Sequence, residues 1–570
     1  MRNIHWHRTM VWMLLFGLLV PALAACGGIA TTPAATTPAA TTGTAAPGVL
    51  RMNLGNEPDT IDPQKASFAA EIAFIMMAYQ GLMTFDKDLK PIPGAAESVT
   101  TSADGLKYTF TLRPDSKYAD GSPLTAKDFA YAWRRLASPE TAGQYQALPC
   151  GIIKGYSEWS AAACQGLTLT DTLALDLKTL EAGYGVKALD ARTLEIELTT
   201  PAPYFLSIAA LWVGVPVRAA DVVKADDWWY TAANYVGNGP FRLKTWDHGS
   251  KAVWEANPNY NGPLGPVKLK RVEYYMITES QVAFQAYQNG ELDGLTVAPE
   301  DLATIQTDPG LSKQTVAVPG QCSYYFGFNL KYPPFDNIKV RQAFALAIDR
   351  EAWVRDIWSG LGSVSYSFIP PGVPGYQPDL KAFTFDAAAA KARLAEAGYP
   401  DGKGLPEIKL SYAASTRNNA RFEWLAGQLK TNLGVMVALD PVETTAYTAL
   451  VKAGKVPFFS LSWCMDYPDP QNWISLWQTN GLLAPRYNYT NPKLDALVKQ
   501  ADIEQNATKR LALYNEAQTI LINDVVFIPN LVNSGLVLVK PYVQGITAKT
   551  VTPLDHWWGF FNLPNVDVQL

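Results

Sequence analysis

Histidine is scarce in this sequence, and the common catalytic signatures are missing. The chain of 570 residues has four histidines, of which only His248 and His556 lie beyond residue 25. Two isolated histidines argue against a histidine-based metal site or a catalytic histidine. The motifs H-E-x-x-H, G-x-S-x-G and G-x-x-x-x-G-K-S/T do not occur. We therefore expect a binding protein rather than an enzyme, without a cofactor and without metal ligands.

The sequence also lacks a basic excess and, after residue 25, any long hydrophobic run. Lys and Arg number 47 against 52 Asp and Glu, so the formal net charge is −5. This balance offers no basic footprint for nucleic acid. A hydrophobic content of 48% is typical of a soluble globular protein. The length suggests roughly two or three domains.

The first 25 residues have the pattern of an export signal. Arg2 and Arg8 accompany the apolar run MVWMLLFGLLV, which is too short for a stable membrane span. The following LAAC places Cys26 after two alanines and resembles the bacterial lipobox, whose cysteine is diacylated and becomes the mature N-terminus. A plain secretory signal cleaved near Ala25 is the alternative. Both interpretations predict an extracytoplasmic chain, and the first predicts membrane attachment through the lipid alone.

Residues 26–49 are repetitive in Ala, Thr and Pro and carry no charge, as in GGIATTPAATTPAATTGTAAPG. Such a segment cannot bury enough apolar surface to offset its ordering entropy. We predict a disordered tether between the lipid and the folded body, with a span of roughly 25 Å as a flexible coil.

The cysteine count predicts disulfides. If Cys26 carries lipid, four cysteines remain, and an even number in an oxidising compartment indicates two bridges among three possible pairings. Cys150 and Cys164 are close in sequence and are expected to close a local loop. That pairing leaves Cys322 with Cys464 and would connect two distant segments. Unpaired buried thiols are the alternative.

Strand and helix patterns are mixed throughout the chain. Alternating residues predict strands at 108–114 and 193–198. Helix starts are predicted at three caps: Thr125 with Asp128, Asp386, and Asn491 followed by Pro492. A further helix is predicted from apolar residues four apart, at Val340, Phe344 and Ile348. The class is therefore α/β or α+β.

Several stretches, in order, resemble the family 5 solute-binding proteins of ABC importers, the oligopeptide- and dipeptide-binding group. The matching stretches include NEPDTIDP, YQGLMTFDKDLKPIPGAAES, SADGLKYTFTLRPDSKYADGSPLTAKDFAYAWRR, VGNGPFRLKTW, ANPNYNGP, AYQNGELD, YYFGFNLKYPPFDNIKVRQAFALAIDRE, AEAGYPDGKGLP and WCMDYPDPQNW. Any one stretch is a weak signal, but the ordered set is specific and covers nearly everything after residue 50.

The resemblance implies an α/β, two-lobed periplasmic-binding-protein-like fold, with an additional domain inserted in the first lobe. Lobe I is expected to comprise 50–93, 227–321 and 535–570. The inserted domain is expected at 94–226, and lobe II at 322–534. The ligand is expected between the lobes, which close over it.

The resemblance also implies a role for Asp466, in the dense stretch SLSWCMDYPDPQNW. In peptide-binding relatives the matching aspartate pairs with the ligand's α-ammonium group. A buried ammonium must be neutralised and hydrogen-bonded, or its desolvation forbids binding. The alternative is that Asp466 only starts a turn, and turn formation also explains Asp469 better than acid–base chemistry does.

Further contacts follow from the same resemblance. Residues 460–464, including Ser462 and Cys464, are expected to run extended beside the ligand and to offer it backbone hydrogen bonds. The resemblance implies that a second strand faces the ligand and contains Ser67, Phe68 and Ala69. It also implies aromatic contacts to the ligand from Trp463, Tyr145 and Tyr325, and the alternative for these three residues is that they fill the core. Cys322 and Cys464 fall where some members carry a disulfide.

Two departures concern the ligand's far end. Some oligopeptide binders have an acidic residue where this chain has Gly327, and a basic residue where it has Ser460. The resemblance therefore leaves C-terminal recognition and ligand length open.

The expected function is that of a monomeric, lipid-anchored receptor that captures oligopeptides and delivers them to an ABC transporter permease. Binding of an oligosaccharide, a nickel complex or haem, as in other members, is the alternative. A neutral sugar would leave the carboxylate of Asp466 without a countercharge. A hydrolase is disfavoured by the missing motifs.

Overall fold

Three β-sheets organise the chain. The computed structural model of the protein describes residues 45–165, 177–320, 322–551 and 563–569. The predicted signal peptide, Cys26, His556 and most of the predicted tether lie outside these residues. The last predicted tether residue, Val49, already belongs to a strand, in which it pairs with Arg271.

The first sheet has seven strands drawn from widely separated parts of the sequence. Val49–Asn53 lies in its middle and runs parallel to Arg271–Tyr275. In spatial order the strands are Thr315–Val318, Gly535–Val539, Gly294–Thr296, Val49–Asn53, Arg271–Tyr275, Lys251–Ala256 and Phe241–Asp247. Arg51, in the strand Val49–Asn53, is buried and forms an ion pair with the fully buried Asp293 at 2.6 Å. This sheet forms the base of one lobe.

The second sheet has six strands and forms the base of the other lobe. In spatial order they are Ser363–Val364, Phe527–Val532, Cys322–Phe328, Phe458–Cys464, Ile408–Ala413 and Val437–Val442. A core of Phe328, Phe335, Phe344 and Phe458 packs on one face, with ring centroids 4.7 to 5.9 Å apart. Aromatic packing of this kind holds the strand Phe458–Cys464 in a rigid setting.

A third, antiparallel sheet has four strands, and two short ribbons complete the β-structure. The four strands are Ala96–Thr101, Lys107–Leu112, Thr193–Glu197 and Val186–Ala188. The ribbons pair Met83–Phe85 with Pro91–Pro93 and Val543–Gln544 with Asp567–Val568. Apart from Val49, the strands of each of the three larger sheets fall within one predicted region: lobe I, lobe II or the inserted domain. The exact boundaries of those regions stay a prediction.

Helices cover the sheets. The α-helices are Ala69–Ala78, Ala126–Ala137, Tyr156–Trp159, Ala161–Gln165, Leu177–Gly183, Phe205–Ile208, Ala219–Val222, Ser280–Gln288, Leu302–Thr307, Pro309–Ser312, Ile338–Ala347, Arg350–Ala352, Ala387–Glu396, Thr416–Leu433, Thr444–Lys452, Gln471–Ile474, Ala484–Tyr487, Pro492–Ile503 and Ala507–Asn523. Shorter helical turns are Pro139–Thr141, Trp212–Gly214, Trp228–Tyr230, Pro299–Asp301, Trp353–Ile357, Pro400–Gly402, Ser475–Trp477 and Leu563–Asn565. Within the described ranges no helix has the length and apolar character to cross a membrane.

The predicted caps are confirmed. The backbone N–H of Thr125 donates to the Asp128 carboxylate at 2.8 Å. Asp386 accepts from the N–H of Ala389 at 2.9 Å, and the Asn491 side chain accepts from two N–H groups of the following turn. These side chains satisfy amides that the helix itself leaves without partners. Local sequence therefore determines where these helices begin.

Candidate ligand site

The strand Phe458–Cys464 has a full neighbour on one side and only a partial neighbour on the other. It pairs over its whole length with Cys322–Phe328 in antiparallel register. On its other edge the parallel strand Ile408–Ala413 pairs only with Phe458 and Phe459. Beyond Phe459, no strand among the described residues continues that edge. An extended ligand can add to such an edge through backbone hydrogen bonds.

Two disulfides form as predicted. Cys322 lies directly opposite Cys464 in the strand pair and is bonded to it. Cys150 is bonded to Cys164, which closes the local loop. The first bridge connects the end of Phe458–Cys464 to its neighbour, so the chain that continues toward Asp466 leaves from a fixed point.

The departure at Gly327 has a packing reason. A Cβ atom built on Gly327 would lie 2.6 Å from the Tyr487 ring and 3.0 Å from the Phe459 ring. Those two rings occupy the space that a larger side chain would need. An acidic residue therefore does not fit here without displacing buried aromatic side chains.

Asp466 follows the strand by two residues and is held by three hydrogen bonds. Tyr145 donates to its Oδ1 at 2.7 Å, and Asn472 donates to its Oδ2 at 3.0 Å. The backbone N–H of Asp466 donates to the Asn472 side chain at 2.9 Å. Asp466 as a whole residue is partly exposed, and these contacts fix the orientation of its carboxylate.

The electrostatic setting of Asp466 is unusual for a carboxylate. Burial raises its pKa above the ordinary value, and the hydrogen bonds from Asn472 and Tyr145 only partly oppose that effect. Among the described residues no cation forms an ion pair with it; by contrast, nearby Asp469 binds Arg510 at 2.5 Å. A carboxylate has about four lone-pair sites. Two protein hydrogen bonds therefore leave it able to accept an ammonium group.

The Asp466 region is also where residues of the predicted inserted domain and of the predicted lobe II meet. Tyr145 comes from the predicted inserted domain, and Asp466 from the predicted lobe II. Beside them, the rings of Tyr204 and Tyr467 are nearly parallel with centroids 6.4 Å apart, and the Arg510 guanidinium lies 5.5 Å from the Tyr204 centroid. The hydrogen bond from Tyr145 to Asp466 therefore connects two regions that are 321 positions apart in the chain.

Asn472 is a residue of this site that sequence reasoning missed. It lies in the helix Gln471–Ile474 and is 4% exposed. Its amide both donates to and accepts from Asp466, which fixes its own orientation as well. The available signal was an amide residue six positions after Asp466, in the same dense, proline-containing stretch.

The facing segment differs from the expected strand. Ser67 and Phe68 precede the helix Ala69–Ala78, which starts at Ala69. Their N–H groups donate to the Glu71 carboxylate, at 2.6 and 2.9 Å. Because Glu71 already takes these donors, the segment forms a helix start rather than a ligand-pairing strand.

Phe68 and Ala69 nevertheless line a cavity. Its volume is about 750 Å³, and its wall includes Asn53, Glu57 and Thr296. Phe68 is 61% exposed. A large apolar side chain at the rim of a cavity is available for a ligand, so these two residues remain candidates through their side chains.

The aromatic candidates divide between site and core. Tyr145 contacts Asp466 and packs edge-on against Trp212 at 4.8 Å. Tyr325 is 0% exposed and packs against Phe368 and Phe527, so its position fits the core-filling alternative. Trp463 is partly buried and packs at the margin of a core cluster.

Ser462 has a different setting. With Ser460 and Leu461 it lines a second cavity, of about 260 Å³, in the lobe built on the second sheet. Cys464 is exposed although its sulfur is bridged. Of the strand residues expected to meet a ligand, Ser460, Leu461 and Ser462 therefore border this cavity.

Together the two-lobed α/β fold, the open strand edge and a carboxylate without an ion pair among the described residues define a bilobed solute-binding protein. The family described as "Bacterial extracellular solute-binding proteins, family 5 Middle" matches residues 90–482. The chain belongs to this family, whose members bind solutes outside the cytoplasm.

Individual relatives show what the family includes. The chain is 30% identical to the oligopeptide-binding protein OppA of Bacillus subtilis, over 84% of this chain and 86% of that protein. It is 31% identical to the probable deoxycholate-binding periplasmic protein YgiS of Escherichia coli, over 87% and 90%. The crystal structure of Haemophilus influenzae OppA in complex with RPPGFSPFR superposes with a TM-score of 0.72 at 27% identity, covering 92% of this chain and all of that one.

Proposed function

We propose that this protein binds oligopeptides between its lobes and delivers them to an ABC transporter permease. In this proposal the protein is a monomer, anchored outside the cytoplasm by a lipid on Cys26. Several of the relatives it resembles are oligopeptide-binding proteins, which supports the peptide as ligand. The proposed ligand runs beside residues 460–464, and its α-ammonium group meets Asp466.

The observation that carries the proposal is the carboxylate of Asp466. It is oriented by Tyr145 and Asn472, and its pKa is raised by burial. An ammonium group in this place would remove the cost of burying the carboxylate's charge and gain charge-assisted hydrogen bonds. A neutral sugar would leave that cost in place, which is why the peptide is favoured over an oligosaccharide.

The test begins with the protein purified without residues 1–25, whose bound molecules are released and identified by mass spectrometry. Calorimetric titration then compares matched peptides with free and acetylated N-termini. Acetylation removes the positive charge, and we expect it to cost about 2–5 kcal/mol of binding free energy. Equal affinity for the two forms would exclude the proposed role of Asp466, and a co-purified sugar or haem would exclude the peptide.

A further inference from the structure

The backbone groups of the strand Phe458–Cys464 alternate between its two edges. The strand pairs with Cys322–Phe328 without a shift in register. In the next step of the same register, the backbone N–H of Asn329 donates to the C=O of Pro457 at 2.9 Å. Hydrogen-bonded and non-hydrogen-bonded positions alternate in an antiparallel pair, so every second residue after Pro457 faces that neighbour. The residues between them, whose N–H and C=O groups face the open edge, are Ser460, Ser462 and Cys464.

One of these open-edge groups already has a partner. The hydroxyl of Tyr447 donates to the backbone C=O of Ser460 at 2.6 Å. Tyr447 belongs to the helix Thr444–Lys452, which follows the strand Val437–Val442 in the same sheet. The contact agrees with the alternation along the strand, which places the Ser460 carbonyl on the open edge.

Tyr447 is held firmly in this position. It is buried, and so is Val451, one turn later in the same helix, because both side chains belong to a hydrophobic core. A ring packed in a core has little freedom to turn away. Burial also raises the pKa of Tyr447 above its ordinary value, so its hydroxyl stays protonated and remains a donor.

A ligand that pairs with Ser460 would need the place of this hydroxyl. Neighbouring strands lie about 4.8 Å apart, and an N–H donor lies about 2.9 Å from the oxygen that accepts from it. The Tyr447 oxygen, at 2.6 Å from the Ser460 oxygen, therefore occupies the position of a ligand N–H. The other two open-edge residues have room, because Ser462 borders a cavity and Cys464 is exposed.

We propose that Tyr447 ends the strand-like pairing of the peptide ligand, which pairs with Cys464 and Ser462 but not with Ser460. The inference rests on the proposed function, in which the α-ammonium group meets Asp466 and the ligand runs from there toward Ser460. Such a ligand is antiparallel to the strand, and every second ligand residue faces an open-edge residue. Ser460 precedes Cys464 by four residues and Asp466 by six. The N–H that faces Ser460 therefore belongs to roughly the fifth to seventh ligand residue.

An amide-to-ester scan of an alanine octapeptide measures this pairing in the wild-type protein. Each ester replaces one backbone N–H by oxygen, which removes a donor without adding bulk. All peptides have a free N-terminus and an amidated C-terminus and are titrated calorimetrically. An ester at a residue that faces Cys464 or Ser462 should weaken binding about fivefold, and one at the residue that faces Ser460 should change it less than about twofold. Any series of alternate positions should therefore contain at most two sensitive ones.

The variant Tyr447→Phe keeps the ring and removes the hydroxyl, which frees the carbonyl of Ser460. We expect one new sensitive position, two residues beyond the last sensitive position of the wild type, with an effect of about fivefold. The matched control is Tyr184→Phe. It also removes a buried hydroxyl that donates to a backbone carbonyl, that of Trp133 at 2.9 Å in the predicted inserted domain. This control should keep the wild-type pattern.

The outcomes separate the two proposals. If peptides bind but the wild type already has three sensitive positions in one alternate series, or has none, this inference fails and the proposed function stands. A Tyr447→Phe protein that binds peptides and gains no sensitive position also overturns it. If no peptide binds the wild type, both proposals fail. The scan of the wild type needs no variant to fold.

Discussion

Asp466 and Asp469 are the same kind of residue three positions apart, and the structure gives them opposite surroundings. Asp469 accepts two hydrogen bonds from Arg510, at 2.5 and 2.8 Å, and also accepts from the N–H of Gln471. Among the residues that the structure describes, Asp466 accepts only from neutral donors, Tyr145 and Asn472. One charge is neutralised within the protein, and the other is oriented but left without a countercharge.

The difference distinguishes a structural carboxylate, Asp469, from the carboxylate that we propose binds the ligand, Asp466. The side chains of Asp469 and Arg510 are 15% and 10% exposed, so their pair is largely removed from water. Burial by itself lowers the pKa of Arg510. The hydrogen bond and the negative charge of Asp469 outweigh this effect and hold that pKa above its ordinary value. In the proposed function, the corresponding cation for Asp466 is the α-ammonium group of the ligand. Three experiments test this contrast.

The largest effect is expected for Asp469→Asn, on stability. Removing the carboxylate leaves a buried guanidinium without its partner, which we expect to cost about 4 kcal/mol in the free energy of unfolding. Urea unfolding followed by fluorescence measures this loss. The matched control is Asp88→Asn, which breaks an exposed pair with Lys87 and should leave stability unchanged. Equal stability of the two variants would refute the structural role of Asp469.

The second effect is expected for Asp466→Asn, on binding. Asparagine can accept from Asn472 and donate to Tyr145, so we expect the melting temperature to stay at or above that of the wild type. Affinity for peptides with a free N-terminus should fall by about 3 kcal/mol, roughly 150-fold. Calorimetry measures both affinities, and N-acetylated peptides are the control, because they should bind the two proteins alike. A variant that still prefers the free N-terminus would contradict the proposal.

The smallest effect is the pH dependence of binding. An ordinary aspartate has a pKa of about 4. Because burial raises the pKa of Asp466, its carboxylate becomes protonated at a higher pH than that. Affinity for the peptide amine should fall as pH drops through that raised pKa, by about tenfold for each unit below it.

Stability should respond to Asp466 in the opposite sense. The raised pKa means that the fold favours the protonated form, so this group's stabilisation is present below the unfolded pKa and is lost as pH rises through the folded one. Titrations between pH 7 and pH 4, with Asp466→Asn as reference, separate the two effects. Identical pH profiles for variant and wild type would show that Asp466 does not titrate in the binding step.

Local features were predictable because they depend on neighbouring residues. The caps at Thr125, Asp386 and Asn491 needed only a side chain two or three residues from a free amide. The disulfide pairing followed from parity and proximity. The expected strand at 67–69 was wrong because a carboxylate four residues from Ser67 takes its backbone N–H.

The sequence by itself determined the export signal pattern, the class of fold, the family resemblance and the candidate aspartate. Tertiary structure decided which charges stay unpaired: Arg510 reaches Asp469 across 41 residues, whereas Tyr145 reaches Asp466 across 321. It also brought the hydroxyl of Tyr447, from a helix, to the open edge of the strand that contains Ser460. The physical reason is that charge and hydrogen-bond satisfaction depend on neighbours in space, and only folding chooses those neighbours.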